Sequence, residues 1–158
     1  MRSKTFVLTA LAALAAGSLM AAPAAAPAAA KKHAAARATA TLVSVDELKW
    51  VDVPNTPAKM ATVKGDSAKG AHASFIKLPG GFSAPLHHHT ADHHVAVVSG
   101  TVTMTPEGGA EKKLPAGSWF QYTGKKKHVT TCEAGADCVL FVVSGGAWDL
   151  VPAEAPKK

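Results

Sequence analysis

Aromatic residues make up only 6% of this 158-residue chain, with a single tyrosine, and charged residues only 18%. A nucleic-acid interface wants a basic face with interleaved aromatics. The one basic cluster, Lys125 to Lys127, stands in a chain too poor in aromatics to supply it, so no nucleic-acid partner is expected. Cysteine is equally scarce: Cys132 and Cys138 are the only two. Two thiols without two further ligands at matching spacing do not make a structural zinc site. No cysteine follows the N-terminal apolar run, which argues against a lipid-anchored precursor. That run, Phe6 to Leu19, also falls short of the roughly 20 apolar residues needed to span a bilayer. From Thr41 onward no long segment shows helical periodicity, which leaves strands to build the domain.

At the N-terminus Arg2 and Lys4 precede the apolar run, and small residues from Ala21 to Ala26 follow it. Positive start, apolar middle and small-residue exit are the order of a secretory signal peptide. Cleavage is expected after Ala24, making residues 1–24 the signal peptide, with a periplasmic or secreted product and no stable membrane insertion after cleavage. Residues 25–40 are alanine and proline with a few basic side chains. They carry almost no large apolar groups to repay the entropy of ordering and are read as a linker. The net charge of +6 falls by two when Arg2 and Lys4 leave, and Lys31, Lys32 and Arg37 lie in the linker. The domain, 41–158, is therefore only slightly basic and long enough for one core.

Within it, short runs such as "KMATV", "ASFIKL", "HVAVVS", "TVTMT", "HVTTC" and "CVLFVV" alternate with Gly, Pro, Asn and Asp. Strands at this spacing joined by tight turns predict an all-β sandwich or barrel. "VVSGTVTM" reads as two strands meeting at Gly100. Trp119, Phe120, Tyr122 and Phe141 alternate between faces and are expected mostly in the core. The cysteines, separated by "EAGAD" and flanked by β-branched runs, suggest a hairpin with a disulfide across its base in an oxidising compartment. Two free thiols or a thiol metal site are the alternatives.

Five of eight histidines fall between Gly80 and Gly100. Alternate strand residues share a face, so His87 and His89 project together while His88 points the other way. The turn "TAD" could bring the next strand back beside the first, so that one of His93 and His94 joins that face. His128 starts a later strand. His33 and His72 have no partner pattern and are expected to face solvent. Asp92 reads as a turn residue or as a carboxylate orienting a ligand. Lys125 to Lys127 read as a solvated hairpin tip or a basic rim drawing anions.

These intervals resemble the cupin family. Gly81 is followed by five residues, His87-His88-His89, three residues, His93, six residues and Gly100. That matches the first cupin motif, with His93 at its acidic position. Gly117, five residues, Thr123-Gly124-Lys125, two residues, His128, three residues and Cys132 keep the intervals of the second motif, although its Pro, Gly and Asn are replaced. The resemblance implies an all-β double-stranded β-helix, a jelly-roll-like barrel with a metal inside its mouth. His87, His89, His93 and His128 are the implied ligands, and the cofactor a divalent transition ion: Fe, Mn, Zn, Ni or Cu. Four neutral imidazoles would leave the ion its full charge, favouring anionic ligands. Two functions follow as expectations. One is a metal-dependent dioxygenase acting on a small anionic or enolisable substrate. The other is a non-catalytic metal- or small-molecule-binding or sensor cupin, although the sigma-binding helical domain of anti-sigma cupins is absent. The partner is a small molecule, and a homodimer is left open.

Overall fold

The computed structural model describes residues 40–153. The expected signal peptide and all but the last residue of the linker lie outside that range. Eleven strands and one 3₁₀ turn, Val45–Glu47, make up the described chain. In order the strands are β1 (Val51–Asp52), β2 (Lys59–Gly65), β3 (His72–Leu78), β4 (Ser83–His88), β5 (His93–Ser99) and β6 (Thr101–Pro106). Then follow β7 (Lys112–Pro115), β8 (Trp119–Tyr122), β9 (His128–Cys132), β10 (Cys138–Ser144) and β11 (Val151–Pro152).

They form two antiparallel sheets, β1-β2-β3-β10-β5-β8 and β11-β4-β9-β6-β7. The all-β expectation is met, and the alternation in sequence is what assigns the faces. On β10, Cys138, Leu140, Val142 and Ser144 are buried while Val143 between them is exposed. Their partners on β3, Leu78, Ile76, Ser74 and His72, and on β5, Val97, Val95 and His93, point inward at the same levels. The other sheet contributes Ala84, Val102, Met104 and Cys132. At about 25 cal/mol per Å² of apolar surface removed from water, this shared interior is the main stabilising term.

Two strands meet at Gly100 as expected, β5 ending in one sheet and β6 beginning in the other. Gly100 makes that crossing at φ +77°, and a Cβ there would lie 2.9 Å from the Cys138 sulfur. The cysteines are disulfide-bonded, Cα–Cα 5.8 Å, and both are fully buried. They are not the base of a hairpin, however. β9 pairs with β4 and β6, and β10 with β3 and β5, so the bond ties the two sheets together. The reason is topological: "EAGAD" spans the gap between layers, where a short covalent link closes one end of the barrel. Trp119 also departs from expectation, being 58% exposed, whereas Phe120 and Tyr122 pack against the core.

A histidine-lined candidate metal centre

Opposite the disulfide, at the far end of the same strands, the interior turns polar. β4 and β9 place His87 and His128 directly across from one another, with ring centroids 4.4 Å apart. His89 follows β4 immediately and lies 5.1 Å from His87 and 5.5 Å from His128. All three are buried, and one nitrogen from each lies within 4.8 Å of the other two. Cross-strand pairing and two-residue periodicity are enough to bring these three together.

His93 arrives differently. β5 does not return beside β4 but sits in the opposite sheet, between β10 and β8. His93 therefore approaches from across the barrel. Its ring lies 4.2 Å from that of His89, outside the tight three-nitrogen group. His88 is half-buried with its side chain away from this group, and His94 is exposed and stacks on Trp119.

Hydrogen bonds determine which nitrogen each ring offers. Nδ1–H of His87 donates to the Pro85 carbonyl at 2.7 Å, and that of His128 to Lys126 at 2.9 Å. Nδ1–H of His89 donates to the Asp149 carbonyl. A neutral imidazole with its proton on Nδ1 carries its lone pair on Nε2. Three lone pairs thus remain uncommitted at one place. Burial, first among the causes, holds His89 down to about 3 and His128 and His93 down to about 4, and lowers His87 as well. All four rings are neutral at pH 7, the state a metal ligand needs. Nitrogens sharing an ion at about 2.1 Å each lie roughly 3.4 Å apart at tetrahedral angles. Small ring rotations from the present separation reach that. The donor set, its protonation and its spacing all fit a transition ion.

The support around these rings was only partly legible in the sequence. Tyr122 stacks on His128 at 3.9 Å and 17°. Trp148 stacks on His93 at 5.1 Å and 10° and also touches His89. Asp149, not Asp92, is the carboxylate beside the site. It accepts from Thr90 N–H at 2.8 Å and Thr90 Oγ1 at 2.5 Å, which fixes the segment whose carbonyl orients His89. Asp92 is a turn residue whose Oδ1 accepts Gly124 N–H at 2.7 Å. No sequence signal marked Trp148 or Asp149, since both reach the site from a loop before β11. His72, expected in solvent, is 4% exposed, because β3 is a central strand and carries it inward.

A cavity of about 70 Å³ opens beside the histidines. Ile76, Val95, Leu140 and Val142 line it from one sheet and Ala84 from the other, with Phe82 from the turn before β4. No charged side chain lines it, and the lysine cluster does not reach it. Lys127 pairs with Glu107 at 3.0 Å, and Lys125 turns the chain at φ +67°. The cluster lies in the turn that carries the chain from β8 in one sheet to β9 in the other, not at a hairpin tip.

Solved structures share this architecture. The polyketide cyclase RemF from Streptomyces resistomycificus superposes with a TM-score of 0.62 at 15% identity, covering 75% of this chain and 89% of that one. An RmlC-like cupin protein from Ralstonia eutropha gives 0.56 at 22% identity over 68% and 69% of the two chains. KdgF from Halomonas sp. gives 0.55 at 21% identity over 68% and 94%. At these identities the likeness establishes the cupin fold. No curated protein matches the sequence. A family model does match, over residues 12–151, most of the chain. With the double-sheet barrel and the histidine end in place, the chain belongs to the cupin-like family described as Domain of unknown function (DUF4437).

Proposed function

We propose that this protein is an exported, metal-dependent enzyme of the oxygen-using type, acting on a small anionic or enolisable compound. The observation that carries the reading is the convergence of three neutral imidazole lone pairs beside a cavity with apolar walls. His87, His89 and His128 would hold the ion, with His93 as a fourth, more loosely placed ligand. Such an ion supplies Lewis acidity and, if it is iron or manganese, one-electron chemistry. Around it the protein's own groups have separable tasks. The carbonyls of Pro85, Asp149 and Lys126 keep the three rings in one tautomer. Tyr122, its hydroxyl pushed up by burial, stays protonated and offers a donor at the cavity wall. The Thr56 hydroxyl is already used, donating to Val53 O at 3.1 Å and accepting Ala58 N–H at 3.2 Å.

The walls also restrict the substrate. A second anionic group would find no counter-charge there, and a polyol would leave hydroxyls unpaired, which is costly. A single metal-seeking head on a short apolar body fits. The space beside the histidines is only about 70 Å³, so the body must be small. Export is supported by the charge and hydropathy order at the N-terminus and by the buried cystine, which persists in oxidising compartments.

The test is oxygen uptake by protein reconstituted with Fe(II), Mn(II) or Zn(II), against small β-dicarbonyls, phenols and hydroxy acids. Four imidazoles leave two positions on an octahedral ion and fill a tetrahedral one, so activity is expected with iron or manganese and not with zinc. Firm metal binding with no turnover across the panel would instead establish a binding protein.

A further inference from the structure

His72 opens β3 and His93 opens β5, and both stand in register with Ser144 on β10 between them. With strands about 4.8 Å apart, the two histidine Cα atoms lie roughly 10 Å apart on one face of the sheet. All three residues in this row are buried. Ser144 is occupied locally, its hydroxyl donating to the Gly146 carbonyl at 2.9 Å. His72 is anchored through Nδ1–H, which is shared between the carbonyls of Gly70 and Gly146, each at 3.0 Å. An imidazole whose one proton is on Nδ1 presents its Nε2 as an acceptor.

Three buried nitrogens at this point have no hydrogen-bond partner among the described residues: Nε2 of His72, Nε2 of His93 and Nε1–H of Trp148. Trp148 stacks on His93, and His72 is close enough to couple with His93 electrostatically. Orphaned buried polar atoms in a native fold call for an explanation. Here their hydrogen-bonding characters are complementary. If His93 carried its proton on Nδ1, two lone pairs would confront each other across the row. With the proton on Nε2, His93 donates toward His72 through one water that also accepts the indole N–H.

We propose that His72 is a positioning residue that holds His93 in the Nε2–H tautomer. The lone pair of His93 is then on Nδ1, the opposite choice from His87, His89 and His128. The use of that lone pair as a fourth metal ligand rests on the metal-site reading above. The tautomer does not, and it is read in metal-free protein.

The experiment is long-range ¹H–¹⁵N correlation on the histidine rings of the metal-free, full-length protein at neutral pH, with Co(II) titration alongside. His87, His89 and His128 should show the Nδ1–H pattern and His93 the Nε2–H pattern. His72→Asn keeps an amide donor for the carbonyls of Gly70 and Gly146 but removes the ε acceptor. His93 should then lose its single Nε2–H form, and Co(II) affinity should fall roughly 10–100-fold, as for other residues that orient metal ligands. His72→Gln, which returns an amide oxygen near the ε position, should restore both. An Nδ1–H pattern for His93 in the unsubstituted protein overturns the proposal with no variant needed, as does a pattern unchanged in His72→Asn. Unaltered Co(II) affinity in His93→Ala would remove the ligand role of His93 and leave its tautomer assignment standing.

Discussion

Acidifying the metal-free protein from pH 7 to pH 5 is expected to remove most of its stability through the buried imidazoles. His89 is held down to about 3, and His93 and His128 to about 4, in each case chiefly by burial. In the unfolded chain these groups return to about 6.5. Between the folded and unfolded values the unfolded state binds more protons, so stability rises with pH across that window. It is fully present above pH 6.5 and is lost as pH falls toward 4 and then 3. At 1.36 kcal/mol per pH unit, each ring contributes about 2 kcal/mol less at pH 5 than at pH 7. Three rings make about 6 kcal/mol, comparable with the whole stability of a small domain. Urea unfolding in the presence of a chelator, followed by tryptophan fluorescence at pH 7, 6 and 5, measures it. With a slope of about 1–3 kcal/mol per molar urea, the midpoint should fall by 2 M or more. Equal midpoints at pH 7 and pH 5 would refute the reasoning, because they would mean that the rings charge as freely when folded as when unfolded.

Alanine at His87, His89 or His128 should abolish tight metal binding, while His88→Ala, whose ring faces away, should retain it; elemental analysis of untagged protein decides, and equal loss in His87→Ala and His88→Ala would refute the facing argument. Removing the disulfide by the double substitution Cys132→Ser and Cys138→Ser should cost about 2 kcal/mol for so short a loop, read by urea unfolding. Because both sulfurs are fully buried, the native bond should resist a mild thiol reductant until the protein unfolds, which intact mass would show. Lys125 holds a left-handed φ of +67° where the second cupin motif has glycine, so Lys125→Gly should raise stability by about 0.5–1 kcal/mol in thermal unfolding. Gly124→Ala should do the reverse, since a Cβ there would lie 2.3 Å from the Thr90 carbonyl oxygen and push the His89–Thr90 segment away.

The amino-acid sequence by itself was sufficient for the class of fold, because strand alternation and turn residues are local and period two assigns each side chain to a face. It was sufficient for the cupin likeness for the same reason, since fixed intervals between glycines and histidines are one-dimensional. It also put His87 and His89 on one face, where the structure has them. What it could not decide was which strands pair. A hairpin was the natural reading of "HVTTCEAGADCVLFVV" and of the turn after His89, yet in both cases the chain crosses between sheets. The disulfide is thus an inter-sheet tie, and His93 faces the three-histidine group from across the barrel. His72, Trp148 and Asp149 carried no local mark, because their roles come from partners far along the chain: His72 with Gly146, Trp148 with His93, and Asp149 with His89. Exposure is likewise a tertiary quantity, and it separates the buried His72 and half-buried Tyr122 from Lys125, Lys126 and Trp119 outside. Local pattern determined what each residue could do, and the pairing of distant strands decided which of them meet.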